Sequence, residues 1–322
     1  MEWDASEGRS DDVIDRRGAG GGGGGLGGLG GGFPIPMGRR GGGVLGIVVA
    51  LLAAFVLPGL LGGSGVEITN DGMNQLPGVS SGPAVGAGDP ADASIPADRD
   101  PDPRRTEFAN VVITDTNNMW EDVFAASGRR YARTKMVLYS GGVQSGCGAA
   151  SSAMGPFYCP ADKLVYIDLS FFEELADRFG AAGDFAQAYV IAHEVGHHVQ
   201  DEMGVTAQVR RLEQDDPSRG SGPDGLSVRT ELQADCLAGV WAHSRYERGQ
   251  SDPTKRLDDG DIDEALQAAS GVGDDSIQRS MTGSVRPESF THGTSAQRKR
   301  WFGIGYDKGD AGACDTFNAG SL

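Results

Sequence analysis

Ala192-His193-Glu194-Val195-Gly196-His197-His198-Val199-Gln200 is the stretch on which the reading of this chain turns. Its core is H-E-x-x-H. On an α-helix, positions i and i+4 lie one above the other on the same face, so the imidazoles of His193 and His197 stand side by side and can grip one metal ion. Glu194 then reaches the water that fills an open coordination position. Zinc chemistry needs this set: neutral imidazoles, a further carboxylate and one labile site. Metal binding lowers the pKa of the water, and the glutamate takes its proton during attack on a carbonyl. The bland alternative is a pair of surface histidines on an ordinary helix, since a bare H-E-x-x-H also arises by chance.

Three features of the surrounding sequence favour the metal. Asp184 with Gln187 three residues on reads as an N-cap, an apolar run from Phe185 to Ala192 follows, and Gly204 is a C-cap signal. The histidine pair therefore lies in the second half of a largely buried helix. Downstream, Glu231 and Asp235 are again i and i+4, within Thr230-Glu231-Leu232-Gln233-Ala234-Asp235. One can bind zinc while the other accepts the ring N–H of a ligand histidine. The chain has only 5 histidines, and three of them fall in this one helix.

H-E-V-G-H-H-V-Q followed by E-L-Q-A-D on a second helix resembles the gluzincins, zinc metallopeptidases with H-E-x-x-H plus a glutamate. More narrowly, the chain resembles the bacterial putative neutral zinc metallopeptidase family. The matching stretches include Ser145-Gly146-Cys147-Gly148, Gly155-Pro156-Phe157-Tyr158-Cys159-Pro160, Val165-Tyr166-Ile167-Asp168-Leu169 and Thr291-His292-Gly293-Thr294-Ser295-Ala296-Gln297-Arg298. They run from about Arg105 to the C-terminus. The resemblance implies a zincin-like α+β domain, mainly helical with a small sheet. It implies one Zn²⁺ held by His193, His197 and Glu231, with Glu194 as general base and Asp235 behind a ligand histidine.

His292 lies in a Gly/Ser/Thr-rich turn before a helix, where it could donate to a developing oxyanion; the alternative is a turn residue capping that helix. Arg298 is placed to pair with an acidic group near the site. His198 points off the ligand face and reads as packing. His243 lies two turns beyond Asp235, too far along the axis to share one zinc. Asp168 reads as structural. The 4 cysteines, Cys147, Cys159, Cys236 and Cys314, allow three pairings. Chain order favours Cys147 with Cys159 and Cys236 with Cys314. With no C-x-x-C, a second, structural zinc is not expected.

The rest of the chain is read by segment. A net charge of −17 argues against a nucleic-acid partner. Residues 1–43 read as a disordered, Gly-rich cytoplasmic segment, because Gly18 to Gly32 offers almost no apolar area to offset its ordering entropy. Val44 to Leu61 is uncharged and apolar, and spans roughly 27 Å as a helix, enough for a bilayer core. Arg39 and Arg40 precede it and no Lys or Arg follows until Arg99, so the N-terminus is expected in the cytoplasm and the remainder outside. Residues 62–104 read as a flexible linker, and 105–322 as the metallopeptidase domain.

Within that domain the expected elements are a helix from Phe108, strands at Tyr131–Tyr139 and Lys163–Leu169, and a short helix opening with a Ser170 capping box. The two metal helices follow, then helices at 257–269 and 294–303. The strand before the active-site helix is expected to offer a sheet edge to an extended peptide. The functional expectation is a membrane-anchored zinc metallopeptidase acting on a protein or peptide outside the cytoplasm. The alternatives are a zinc amidase acting on cell-wall peptides and, from another class, a non-catalytic zinc-binding scaffold, against which the intact Glu194 argues.

Overall fold

The computed structural model describes residues 1–18 and 99–322. The expected span at 44–61 and most of the expected linker lie outside them. Among the described residues, no helix is long and apolar enough to cross a membrane.

The domain is α+β and mainly helical. Its central element is helix α3, Asp184–Met203. Small and apolar side chains lie on nearly every side of its first four turns, and Phe185, Ala188, Tyr189, Ile191, Ala192, Val195 and Val199 are all buried. A helix apolar all round belongs in the middle of a fold. Accordingly α3 is packed by α1 (Pro103–Ala126), α5 (Leu226–Gly249) and α6 (Asp261–Gly271). Phe185 stacks on Trp241 of α5 with ring centroids 5.7 Å apart.

Two backbone approaches shape this core. A Cβ on Gly196 would lie 3.0 Å from the carbonyl oxygen of Ala234, so the glycine inside the H-E-x-x-H stretch lets α5 close on α3. Helix α8 (Ser295–Lys308) crosses α5 still more tightly: a Cβ on Gly305 would fall 1.9 Å from the Cys236 carbonyl oxygen. Thr294 caps α8 in a complete capping box with Gln297, as its sequence predicts.

A four-stranded sheet covers another side of α3. Its order is β1 (Val13–Asp15), β2 (Lys135–Tyr139), β6 (Leu164–Asp168), β5 (Phe157–Cys159), with β5 antiparallel and the others parallel. Strand β6 is thus paired on both sides, and the sheet edge beside α3 is β5, not the strand that directly precedes the helix. The Gly/Ser-rich stretch between β2 and β6 holds a hairpin, β3 (Gly142–Ser145) with β4 (Gly148–Ser151), in addition to β5. Helix α2 (Phe171–Phe179) follows β6, but the Ser170 hydroxyl donates to Asp168 rather than capping it. Helix α4 (Val205–Asp215) and helix α7 (Asp274–Thr282) are not among the elements expected from the sequence.

The largest departure concerns residues 1–18. They were expected to be disordered with the rest of the glycine-rich segment, and they are instead packed on the domain. Val13↔Met136, Ile14↔Val137 and Asp15↔Leu138 are strand partners. Trp3 meets Phe108 edge-to-face at 5.6 Å. Arg17 is buried between Asp15 and Asp100 at 2.7 and 2.8 Å, and Arg133 holds Asp12 at 2.6 Å. The Met1 ammonium lies 2.7 Å from Asp184 and 3.2 Å from Asp261, at the N-termini of α3 and α6. Asp184 is the first residue of α3 rather than its N-cap, which is Gly183. Acidic and basic side chains that look like a solvated tail in isolation find partners supplied by residues more than 80 positions away. The linker expectation fails at its end for a related reason: α1 begins at Pro103, capped by Asp102.

Both expected disulfides are present, Cys147–Cys159 in the hairpin region and Cys236–Cys314 between α5 and the C-terminal tail.

Candidate active site

Helix α3 delivers His193 and His197 from consecutive turns, their ring centroids 4.8 Å apart. Helix α5, drawn close at Gly196, delivers Glu231. The Nε2 of His193 lies 3.3 Å from Glu231 Oε2, and the Nε2 of His197 lies 3.4 Å from Glu231 Oε1. A tetrahedral zinc with ligands about 2.0–2.1 Å away sets neighbouring ligand atoms roughly 3.3–3.4 Å apart. The three side chains therefore converge at the spacing zinc requires, and with one carboxylate and two imidazoles they have the chemistry it prefers.

Electrostatics agree. Burial alone would lower the pKa of His193, but Asp235 and Glu231 outweigh it and lift it to about 10. Burial would raise Glu231, yet His197 and His193 hold it well below its ordinary value. The pocket favours positive charge where these atoms meet. Glu194 sits beside them, 8% exposed. Its pKa is raised, burial prevailing over the opposing pull of His193 and His197. A carboxylate pushed upward in this way is matched to taking up a proton and giving it back.

Asp235 supports the site from behind. Its Oδ1 lies 2.9 Å from His193 Nδ1 and accepts from Tyr189 at 2.5 Å. Arg298 from α8 closes on the same carboxylate, Nε to Oδ2 and one terminal nitrogen to Oδ1, both at 2.8 Å. Arg298 thus has the acidic partner its position suggests. His197 is held differently: its Nδ1 lies 2.9 Å from Gln200 Oε1.

His292 stands in the turn before α8, about half exposed, with Nδ1 3.2 Å from Asp274 Oδ1. Burial opposes its positive charge, but Asp274 and Glu231 raise its pKa, and His292 in turn helps lower that of Glu231. It belongs to the site's surroundings. Asp274, the first residue of α7, also accepts the backbone N–H groups of Thr291, His292 and Gly293 at 2.8, 2.7 and 3.0 Å.

The remaining histidines and Asp168 do not join. His198 is buried with one ring nitrogen 2.6 Å from the Ala132 carbonyl and the other 3.1 Å from the Tyr158 hydroxyl. His243 binds the Tyr306 carbonyl. Asp168 accepts from Gly141 N–H, Ser170 and Ser152, fixing the end of β6.

Three residues of the site escape the sequence reading. Tyr189 and Gln200 had a signal, since they lie four before His193 and three after His197 on the same helical face. Asp274 had none: it lies in a Gly/Asp/Ser-rich stretch with weak periodicity, and its role appears only through the turn it holds.

Comparison with known proteins is consistent with this geometry. The family model described as putative neutral zinc metallopeptidase matches residues 1–317. The uncharacterized protein YpfJ of Escherichia coli (strain K12) is 43% identical over 317 residues, covering 98% of this chain and 99% of YpfJ. The uncharacterized protein Rv2575 of Mycobacterium tuberculosis (strain ATCC 25618 / H37Rv) is 46% identical over 220 residues, 67% of this chain and 73% of Rv2575. An uncharacterized protein of Mycobacterium bovis, Mb2605, matches to the same extent. No solved structure matches the chain significantly. The chain belongs to the putative neutral zinc metallopeptidase family.

Proposed function

We propose that this family member is a zinc-dependent peptidase, with His193, His197 and Glu231 as the ligands of one Zn²⁺ and Glu194 as general base. The observation that carries the proposal is the pair of Nε2–carboxylate separations, 3.3 and 3.4 Å, which fit the edges of a tetrahedral zinc site. Bound there, zinc would supply Lewis-acid polarisation of a scissile carbonyl and a water acidic enough to ionise near neutral pH. Glu194 takes a proton from the attacking water and returns it to the leaving amine. Its raised pKa suits both halves of that transfer. His292, protonated and turned by Asp274, donates to the oxyanion of the tetrahedral intermediate. Asp235 holds His193 with its Nδ1 protonated, so that Nε2 presents a lone pair. The substrate is a protein or peptide.

The test is to purify the protein, measure bound zinc, and follow hydrolysis of casein and of a peptide pool beside Glu194→Gln. Stoichiometric zinc in both proteins with turnover only in the unaltered one is the expected outcome. Zinc in both with turnover in neither would point to a binding module.

Two features bear on where the domain is located. Two disulfides favour an oxidising compartment outside the cytoplasm. Strand β1 shares a sheet with β2, and strands cannot pair across a bilayer. On this reading residues 1–18 and the domain lie on the same side of any membrane to which the protein is attached, whereas the arginines before residue 44 favour opposite sides.

A further inference from the structure

We infer that Gln200 and Gln233 form an oriented amide relay that positions His197 for metal binding, anchored at its far end by the C-terminal tail. The inference rests on the zinc reading of the site.

The two ligand histidines have unlike supports. Behind His193 stands a carboxylate gripped by an arginine and a tyrosine. Behind His197 stands a neutral side chain, Gln200, buried and three residues along the same helix. An amide has one end that accepts and one that donates, so the wrong rotamer of Gln200 would present N–H groups to the ring and favour the opposite tautomer. Its orientation must be specified by its other neighbours.

The network specifies it. Gln200 Nε2 lies 2.7 Å from the Thr230 carbonyl oxygen, which can only accept. The nitrogen end is therefore committed there, and Oε1 faces His197. The second hydrogen of Nε2 is given to Gln233 Oε1 at 3.1 Å. Gln233 is itself oriented, because its Nε2 donates to the Cys314 carbonyl oxygen at 2.9 Å. Cys314 is fixed to α5 by its disulfide with Cys236, three residues beyond Gln233. Two backbone carbonyls thus set two amides, and the amides set one imidazole. His197 must carry its proton on Nδ1, which leaves Nε2 unprotonated and aimed at Glu231 and the metal position. Neither glutamine is a ligand or touches substrate; both are positioning residues.

The relay also accounts for Gln233 standing between Glu231 and Asp235. On α5 it faces α3 and the tail, where an apolar side chain would leave Gln200 Nε2 and the Cys314 carbonyl each short of a partner in a buried place.

The experiment measures zinc affinity of the full-length protein, its Gln200→Met variant and its Gln233→Met variant by chelator competition. Ring-nitrogen NMR of the metal-free forms, at a pH where the ring is neutral, reports the His197 tautomer. Metal-free thermal midpoints report folding. The relay predicts zinc affinity weaker by about 10–100-fold in Gln200→Met, and a smaller loss in Gln233→Met with His197 in mixed tautomers. Unchanged affinity and tautomer in Gln200→Met would overturn the inference. A loss in Gln200→Met with none in Gln233→Met would confine the role to Gln200 and overturn the relay. If Gln200→Met lowers the metal-free midpoint, Gln233→Met decides: its His197 tautomer shifts if the relay holds and does not if it fails. Absence of zinc binding by the unaltered protein would instead sink the peptidase reading, a result distinct from all of these.

Discussion

Nδ1 of His193 lies 2.9 Å from Oδ1 of Asp235, and both groups are buried. The carboxylate is held at about 2, since Arg298 and His193 outweigh a burial that would raise it. It is thus ionised at every pH where the protein would work. Asp235→Asn keeps the shape but removes the charge that fixes the ring. Zinc affinity should fall about 10–100-fold, measured by chelator competition.

Arg298→Met tests the other half of that cluster. It strands the buried Asp235 carboxylate without its main counter-charge, and removing one partner of a buried ion pair costs about 3–5 kcal/mol. Urea unfolding should show a loss of that size. A change below about 1 kcal/mol would mean that Tyr189 and His193 suffice to hold Asp235.

His292 and Asp274 predict a pH effect. Burial works against charge on His292, but Asp274 and Glu231 prevail and raise its pKa. With the protonated ring as the proposed donor, activity should persist below that raised pKa and fall as pH rises through it. In Asp274→Asn the alkaline limb of kcat should move to lower pH. His292→Ala should lower kcat by about 10²–10³-fold with zinc content unchanged. An unaltered kcat in His292→Ala would leave the residue a turn former only.

The geometry of the candidate metal site was largely legible in the sequence and its supports only partly so. His193, Glu194 and His197, and likewise Glu231 and Asp235, are fixed relative to each other by helical period, and a period can be read locally. That Gly196 would bring the two helices together is visible only with both in place. Gln200 shares a helical face with His197, but the carbonyls that orient the two glutamines and the turn held by Asp274 come from distant segments, which leave no periodic trace. Residues 1–18 show the same limit more sharply. Their charges match Asp100 and Arg133 across the fold, the Arg9 backbone N–H donates to the Thr114 hydroxyl, and nothing within the segment itself announces those partners.

Acid stability should depend on Asp115. This buried carboxylate accepts from Trp241 Nε1 at 2.9 Å and from Arg248, with Arg245 3.4 Å away. Burial would raise its pKa, but Arg248 and Arg245 lower it. A depressed folded-state pKa contributes stability that is complete above the unfolded value of about 3.9 and lost as pH falls through the folded one. Asp115→Ala should therefore cost about 3–5 kcal/mol near neutral pH, and its deficit should shrink in strong acid. Denaturant midpoints from pH 7 to pH 2 check both.

The pairing of β1 with β2 makes the last prediction. Residues 1–18 contribute a strand to the sheet and buried ion pairs to the domain. An arrangement that placed them across a bilayer from β2 would forfeit all of these contacts and expose the β2 edge. Ser6 and Arg130 are both exposed, one in each part. Ser6→Cys and Arg130→Cys, introduced separately, should give the same result with a membrane-impermeant maleimide in intact cells, both labelled or both protected. Labelling of Arg130→Cys alone would place the two parts on opposite sides. In that case β1 could pair with β2 only in protein that had not yet been inserted, and the ordered N-terminus would describe a state before export rather than the exported protein.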